Sequence, residues 1–300
     1  MFYAFETLQQ NKNFLTQNSQ MTTYIIGIGL IGGSFALSLK DNNLTDKVLG
    51  YDASPSNLSQ AIDLGLIDEA AEFDQGIAQA DLIVLSVPVD IMPTLAIKVL
   101  NKVKPHQVVI DMGSIKEELC EVISMHANRQ NFVATHPMWG TEHSGPTAAQ
   151  KGAFKGRTCV ICEKDKSFDS AVELIKNIYT TIGMPVIYME ADEHDLHVAY
   201  ISHISHITSF ALALTVLEKE REEQHIFDLA GGGFESTVRL ANSSASTWVP
   251  ILTRNKYNVL DVLREHIHQL QIMRKALETD DRELLTKMMR KANTIQKIIH

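Results

Sequence analysis

Cysteine is scarce, with three in 300 residues, at positions 120, 159 and 162. That number leaves no disulfide framework and fits a reducing cytoplasm. Cys159 and Cys162 form a C-x-x-C pair, but they stand in the strand-like run Thr158-Cys159-Val160-Ile161-Cys162. A redox pair belongs at a helix N-terminus, where thiolate is stabilised. Packing is therefore the expected role, with redox or zinc as the alternative. Basic charge is also short. A net charge of −9 without a long basic run argues against nucleic acid as a partner. The first twenty residues lack a basic n-region and a long apolar h-region, so they do not read as a signal peptide. Rich in Asn and Gln, residues 1–20 are set aside as an arm outside the fold. No internal repeat or low-complexity tract is evident.

Charged side chains of the Asp, Glu, Lys and Arg types are absent from Val198 to Leu217, a run of twenty residues. A membrane-spanning helix is about that long. Two His, three Ser and two Thr interrupt this run, and it follows the acidic Glu190-Ala191-Asp192-Glu193. A helix apolar all round also suits the centre of a helical domain or dimer. A buried helix is expected, with no membrane partner.

What is present is a globular composition, 45% hydrophobic and 21% charged, long enough for two domains. Tyr24-Ile25-Ile26 is a β-branched and aromatic run ending in glycine. Similar runs recur at 48–52, 82–86, 108–111 and 132–135, separated by helical spacing at 34–40, 57–64, 91–100 and 116–125. Such alternation predicts an α/β fold with a Rossmann-type, mostly parallel sheet covered on both faces. Later strands are predicted at 158–162 and 186–188, flanking a helix over 170–181. From about Asp192 the strand signals stop. Helices are predicted through 248–279, with a break, and 283–299, with Asp280 as N-cap and Glu283 as its box partner. The expected division is a dinucleotide-binding domain over 21–190 and an all-α domain over 191–300. Its apolar helices exceed what one small bundle hides, which predicts a homodimer.

Gly27-Ile28-Gly29-Leu30-Ile31-Gly32 follows the first strand and opens a helix. Gly27 permits the tight turn, Gly29 lets backbone approach a pyrophosphate, and Gly32 lets the helix pack closely on the sheet. Asp52 ends the next strand, where its carboxylate can accept both ribose hydroxyls. A 2′-phosphate would meet that charge, and Ala53-Ser54-Pro55 brings no arginine. NAD, rather than NADP, is the expected cofactor. Ser86-Val87-Pro88 and Gly113-Ser114 end strands at the sheet's carboxyl edge, where ligands bind. They either line the nicotinamide half or are ordinary strand-to-helix caps.

The stretch His136-Pro137-Met138-Trp139-Gly140-Thr141-Glu142-His143-Ser144-Gly145 is dense in polar groups and glycine. A His at a strand end can take a hydroxyl proton as hydride leaves the same carbon. In Ser202-His203-Ile204-Ser205-His206 the two histidines are roughly cofacial on a helix. They read as buried histidines bonded to neighbours, or as a metal pair, which lacks a clustered carboxylate; no metal is expected. Arg239, beyond Gly231-Gly232-Gly233-Phe234, can grip a carboxylate with its fork or form an interface salt bridge.

Taken in order, the motifs at 27–34, Asp111-Met112-Gly113-Ser114-Ile115-Lys116, His136-Pro137 with Gly140-x-Glu142-x-Ser144-Gly145, Ser202-His203-x-x-His206, and Gly231-Gly232-Gly233-Phe234 with Arg239 and Trp248 resemble the prephenate dehydrogenases. The wider group is the prephenate/arogenate dehydrogenases of tyrosine biosynthesis. The resemblance implies hydride transfer from ring carbon C4 of prephenate to NAD⁺ while the ring carboxylate leaves as CO₂. It implies His136 as the acceptor of the C4 hydroxyl proton, Ser114 as its orienter, and His206 as a second active-site histidine. Arg239 would bind a substrate carboxylate, with Thr141, Glu142 and Trp248 around the pocket. Two departures stand out: Trp139 where the family commonly has a small residue, and Glu235-Ser236 where some members have Lys-Asp. Feedback control by tyrosine, if present, is expected at the active site or dimer interface, since no appended regulatory domain is expected beyond the C-terminal helix. The rivals are arogenate as substrate, another β-hydroxyacid-type dehydrogenase, and a non-catalytic NAD-sensing protein.

Overall fold

The computed structural model describes residues 21–221, 223 and 225–298; the arm expected at 1–20 lies outside the described residues. Eight strands form one sheet: β1 (Thr22–Ile26), β2 (Lys47–Tyr51), β3 (Glu69–Ala70), β4 (Leu82–Leu85), β5 (Val108–Asp111), β6 (Phe132–Pro137), β7 (Cys159–Cys162) and β8 (Val186–Met189). Their order is β3-β2-β1-β4-β5-β6-β7-β8. All pairings are parallel except β6 with β7. The first six strands have the doubly wound Rossmann order, which reverses direction between β1 and β4. Central strands of such a sheet are covered on both faces. That is why Leu-Ile-Val-Leu of β4 and Val-Val-Ile-Asp of β5 are buried at every position.

Helices α1 (Leu30–Asp41), α2 (Pro55–Asp63), α3 (Phe73–Gln79), α4 (Met92–Leu100), α5 (Glu117–Ile123) and α6 (Asp169–Thr181) cover the sheet. Strand alternation divides the core into two layers. Ile25, Val84 and Ile110 meet Phe35, Leu39 and Tyr179 on one face. Tyr24, Ile83 and Val109 meet Leu100, Leu119 and Ile123 on the other. The same alternation decides the C-x-x-C question. Cys159 packs in the first layer and Cys162 in the second, so the two thiols lie on opposite faces of β7. Burial pushes both well above the ordinary thiol range, holding them protonated.

After β8 the described chain is helical: α7 (Ala191–Val198), a π-helical turn at Ala199–His203, α8 (Ile204–Glu220), α9 (Gly232–Val238), α10 (Ala245–Arg254), α11 (Lys256–Glu278) and α12 (Arg282–Ala292). The break expected in 248–279 falls at Asn255. Two expectations need correction. Asp281, not Asp280, caps α12, accepting the Leu284 N–H at 2.9 Å. Asp280 instead takes a left-handed backbone at φ 49° in the turn before it. The apolar run over 198–217 is also not buried within this chain. The stretch Ala191–Glu220 is long and apolar enough to cross a membrane by length and composition, and only 11% of its apolar window is buried. Three of its polar side chains face inward instead: His203, His206 and Ser209 are buried, while Ile201, Leu214 and Leu217 are more than half exposed.

Candidate active site

The glycine turn sits where the sheet order reverses. Gly27 has φ 96°, and a Cβ there would run into the Ser86 carbonyl on the neighbouring strand end. Gly27 N–H donates to Tyr51 O at 2.8 Å. A Cβ on Gly32 would strike the Gly27 carbonyl, so α1 is held against the strand by its glycine. Gly29 differs: a Cβ there meets nothing within 4 Å. This glycine opens onto free space at a helix start that no side chain caps. An unfilled cradle bounded by N–H groups fits a pyrophosphate. Asp52 lies beside the turn, accepting Ile28 N–H at 3.0 Å and Ser54 N–H at 2.9 Å. Asn57 also reaches its carboxylate, at 3.3 Å. A carboxylate has about four lone-pair sites, so capacity for a ribose hydroxyl remains. These residues fit a dinucleotide.

A cavity of about 500 Å³ opens from this turn and runs between the sheet edge and the helices. Gly29, Leu30, Ile31, Ser86, Val87 and Pro88 line its sheet side, while Gly27, Ile28, Gly32 and Asp52 stand behind or beside it. Ser114, His136, Thr141 and Glu142 continue the wall, and His206, Arg239 and Trp248 close it from the helical side. The residues singled out from sequence therefore converge on one place. Trp248 stacks on His206 with ring centroids 3.4 Å apart. Among the described residues the buried His206 Nδ1 has no hydrogen-bond partner, and burial lowers this imidazole to about 4. Arg239 Nη1 contacts Glu142 Oε2 at 3.0 Å, joining the two halves across the mouth. Trp139 packs edge-on against Phe154, so its indole belongs partly to the sheet-side core and partly to the pocket wall.

His136 is the next-to-last residue of β6 and lines this cavity. Its Nδ1 lies 2.8 Å from Nε2 of His194. His194 is fully buried on α7, and its Nδ1 lies 2.7 Å from Oδ1 of Asp195. Asp195 also accepts the N–H groups of Lys116 (2.7 Å) and Glu117 (2.9 Å) at the start of α5. Asn255 Nδ2 holds the Asp195 carbonyl at 2.7 Å and lies 3.3 Å from His203 Nδ1. Beneath the site, the fully buried Lys116 Nζ pairs with Asp111 Oδ2. Burial, assisted by His194 and Lys116, holds His136 well below the usual histidine range, so its ring is neutral. Ser114 lines the same cavity, and the hydrogen bond that fixes the His136 ring is the one its Nδ1 shares with His194 Nε2.

Comparison with known proteins gives a consistent answer. The family described as "Prephenate dehydrogenase, nucleotide-binding domain" matches residues 35–188, and "Prephenate dehydrogenase, dimerization domain" matches 190–291. Prephenate dehydrogenase of Bacillus subtilis is 31% identical over 274 residues, 90% of this chain and 74% of that protein. The chain belongs to the prephenate dehydrogenase family. Cyclohexadienyl dehydrogenase of Zymomonas mobilis is 28% identical over 87% of this chain and 90% of its own length. Among solved structures, prephenate dehydrogenase from Aquifex aeolicus, in complex with hydroxyphenyl propionate and NAD⁺, matches with a TM-score of 0.87. That pair is 28% identical and covers 95% of this chain and all of the other. Arogenate dehydrogenase from Synechocystis shares the fold at 22% identity and a TM-score of 0.76, covering 93% of this chain and all of that one.

Within this member of the prephenate dehydrogenase family, sequence reasoning missed His194, Asp195 and Asn255 and gave Lys116 no role of its own, whereas His203 is the buried histidine with a bonded neighbour that was one of its two readings. His194 and Asp195 directly follow the acidic Glu190-Ala191-Asp192-Glu193, a stretch given no role in the site. Lys116 reads as a helix start, yet it is fully buried. The one available signal was Asp111 five residues before Lys116, a buried strand ending in a charge that needs a partner.

Proposed function

We propose that this chain oxidatively decarboxylates prephenate to 4-hydroxyphenylpyruvate and CO₂ with NAD⁺, a step of tyrosine biosynthesis. The observation that carries this reading is one cavity with the glycine turn at one end, a neutral His136 on its wall and Arg239 across it. NAD⁺, when bound, supplies the hydride acceptor. Gly27 to Gly32 and Asp52 would hold its pyrophosphate and ribose, and Ser86, Val87 and Pro88 line the adjoining wall. His136 takes the C4 hydroxyl proton on Nε2, which has no hydrogen-bond partner among the described residues. It returns that proton to the phenolate oxygen once loss of CO₂ has made the ring aromatic. Arg239 grips a substrate carboxylate, exchanging Glu142 for it. Ser114, Thr141, His206 and Trp248 shape the pocket around the ring.

The division into a dinucleotide-binding part up to residue 190 and a helical part beyond it belongs to this reading. So does a homodimer, which the exposed Ile201, Leu214 and Leu217 support, since a second copy would cover them. That assignment also accounts for the apolar helix without a membrane. Three free, buried cysteines accord with the cytoplasm. Tyrosine, which shares the product's phenol ring and carries a carboxylate, would act as an inhibitor by competing for this cavity.

The test is NADH absorbance with prephenate or arogenate as substrate and NAD⁺ or NADP⁺ as cofactor. Turnover of prephenate with NAD⁺ is expected, at a higher kcat/KM than with NADP⁺. Faster turnover of arogenate would reassign the substrate, and no turnover of either would remove the enzymatic reading.

A further inference from the structure

The His194–Asp195 pair lies behind the cavity wall and is not among the residues that line it. We infer that Asp195, His194 and His136 form one proton-sharing line, in which the first two fix the tautomer of His136 and take up its charge. The inference deepens the proposed function and rests on His136 being the base.

Polarity along the line follows from one group. The Asp195 carboxylate only accepts hydrogen bonds, and it already receives two backbone N–H groups from Lys116 and Glu117. His194 Nδ1, at 2.7 Å from it, must therefore carry a hydrogen. A neutral imidazole has one N–H, so His194 Nε2 is bare and accepts. His136 Nδ1, at 2.8 Å from that nitrogen, must then be the donor. The remaining nitrogen of His136, Nε2, keeps its lone pair for the pocket. Asp195 thus sets the state of a nitrogen two rings away, and Asn255 fixes Asp195 by its carbonyl at 2.7 Å.

The same geometry gives the captured proton somewhere to share its charge. When His136 Nε2 accepts a proton, the hydrogen on Nδ1 can cross to His194 Nε2. His136 is then neutral again, with its hydrogen on Nε2, and the cation sits on His194 against Asp195. One proton enters and one moves along; no other bond changes and nothing is oxidised. The surroundings make this matter. Lys116 and Asp111 approach from β5 and its turn, His203 from the π-helical turn, and Asp195 from α7 itself. Burial, Lys116 and His203 disfavour a cation on His136, and a second cation already on His194 would do the same. For His194, Asp195 works in the opposite direction, favouring the charge against burial and Lys116. His194 and Asp195 are positioning residues: they act through His136 and do not touch substrate.

Three variants and one spectrum test the line. In ¹⁵N NMR of histidine imidazoles on the intact enzyme, His136 is expected as the Nδ1–H tautomer. His194→Phe removes both holding and sharing. It is expected to lower kcat about 10- to 100-fold, a part of the 10²- to 10⁴-fold contribution of the base it positions, and to move the acid limb of kcat/KM to lower pH. KM and the calorimetric Kd for NAD⁺ should stay within about twofold, the scatter of a contact that is not made. His194→Gln can still accept from Nδ1, so it should restore the tautomer and part of kcat but not the pH profile. Asp195→Asn should mix the tautomers. A His136 Nε2–H signal in the wild-type spectrum, or unchanged kcat and pH profile in His194→Phe, would overturn the inference. The spectrum needs no substrate, so it decides this point even where the chain fails to turn over prephenate; should a variant not fold, the wild-type spectrum stands alone.

Discussion

Replacing Arg239 by Ala tests the site where it joins the two halves of the molecule. Its guanidinium meets Glu142 at 3.0 Å, and its side chain is 55% exposed. A hydrogen bond from a charged donor to a substrate carboxylate contributes about 1.5–3 kcal/mol. Binding substrate first requires release of Glu142, an ion pair open to solvent whose loss offsets part of that gain. The net contribution is then about 1–2 kcal/mol, or about 5- to 30-fold in affinity. Steady-state kinetics with prephenate should show that rise in KM, with kcat changed much less. The Kd for NAD⁺ should not move, because Arg239 lies on the helical side, away from the glycine turn. Arg239→Lys keeps the charge but loses the fork, so its KM should lie between the two. Glu142→Gln frees Arg239 from its competitor and should leave KM equal to or below that of the wild type. A KM within about twofold of wild type in Arg239→Ala, smaller than any charged hydrogen bond predicts, would refute the reasoning and make the Arg239–Glu142 pair structural.

Four further outcomes are expected. His136→Asn should lower kcat about 10²- to 10⁴-fold, the usual contribution of a positioned base, with the calorimetric Kd for NAD⁺ unchanged; undiminished turnover would remove His136 from the chemistry. The base must be neutral to work, and His136 is held well below the usual histidine value, so kcat/KM should stay flat through pH 6.5 and fall only below it. Stability behaves differently over the same range: His203 and His206 are lowered to about 4, so the unfolded chain binds more protons below pH 6.5 and Tm should decline from there toward pH 4. Lys116→Met leaves Asp111 buried without its cation and should destabilise by about 3–5 kcal/mol in denaturant melts, while adding Asp111→Asn should recover part of the loss; a neutral single variant would show that water already reaches the pair.

The sheet was legible because its strands are buried on both faces and read as unbroken apolar runs, from Tyr24-Ile25-Ile26 to Val108-Val109-Ile110. The short β3 and α3 were not. Two residues carry no periodicity, and α3 contains Gly76, which is there because a Cβ would strike the Tyr24 ring. His136 was visible as a histidine at a strand end beside glycines, and the glycine turn by its spacing. His194 and Asp195 were hidden because their meaning comes from α5, whose N-terminal N–H groups meet Asp195 some eighty positions away in sequence. Pattern also cannot say which body a face is packed against. The charge-free run through α8 was read as core, whereas within one chain its apolar side lies open and its histidines point inward.

Trp139 and Trp248 are the only two tryptophans in the chain, and both line the cavity. One leans on Phe154 from the sheet side and the other lies flat on His206 from the helical side. All of the protein's indole emission therefore originates at one place, with no background from elsewhere in the fold. Occupancy, closure of the two walls and reduction of a bound nicotinamide can each be followed by light from the unlabelled enzyme.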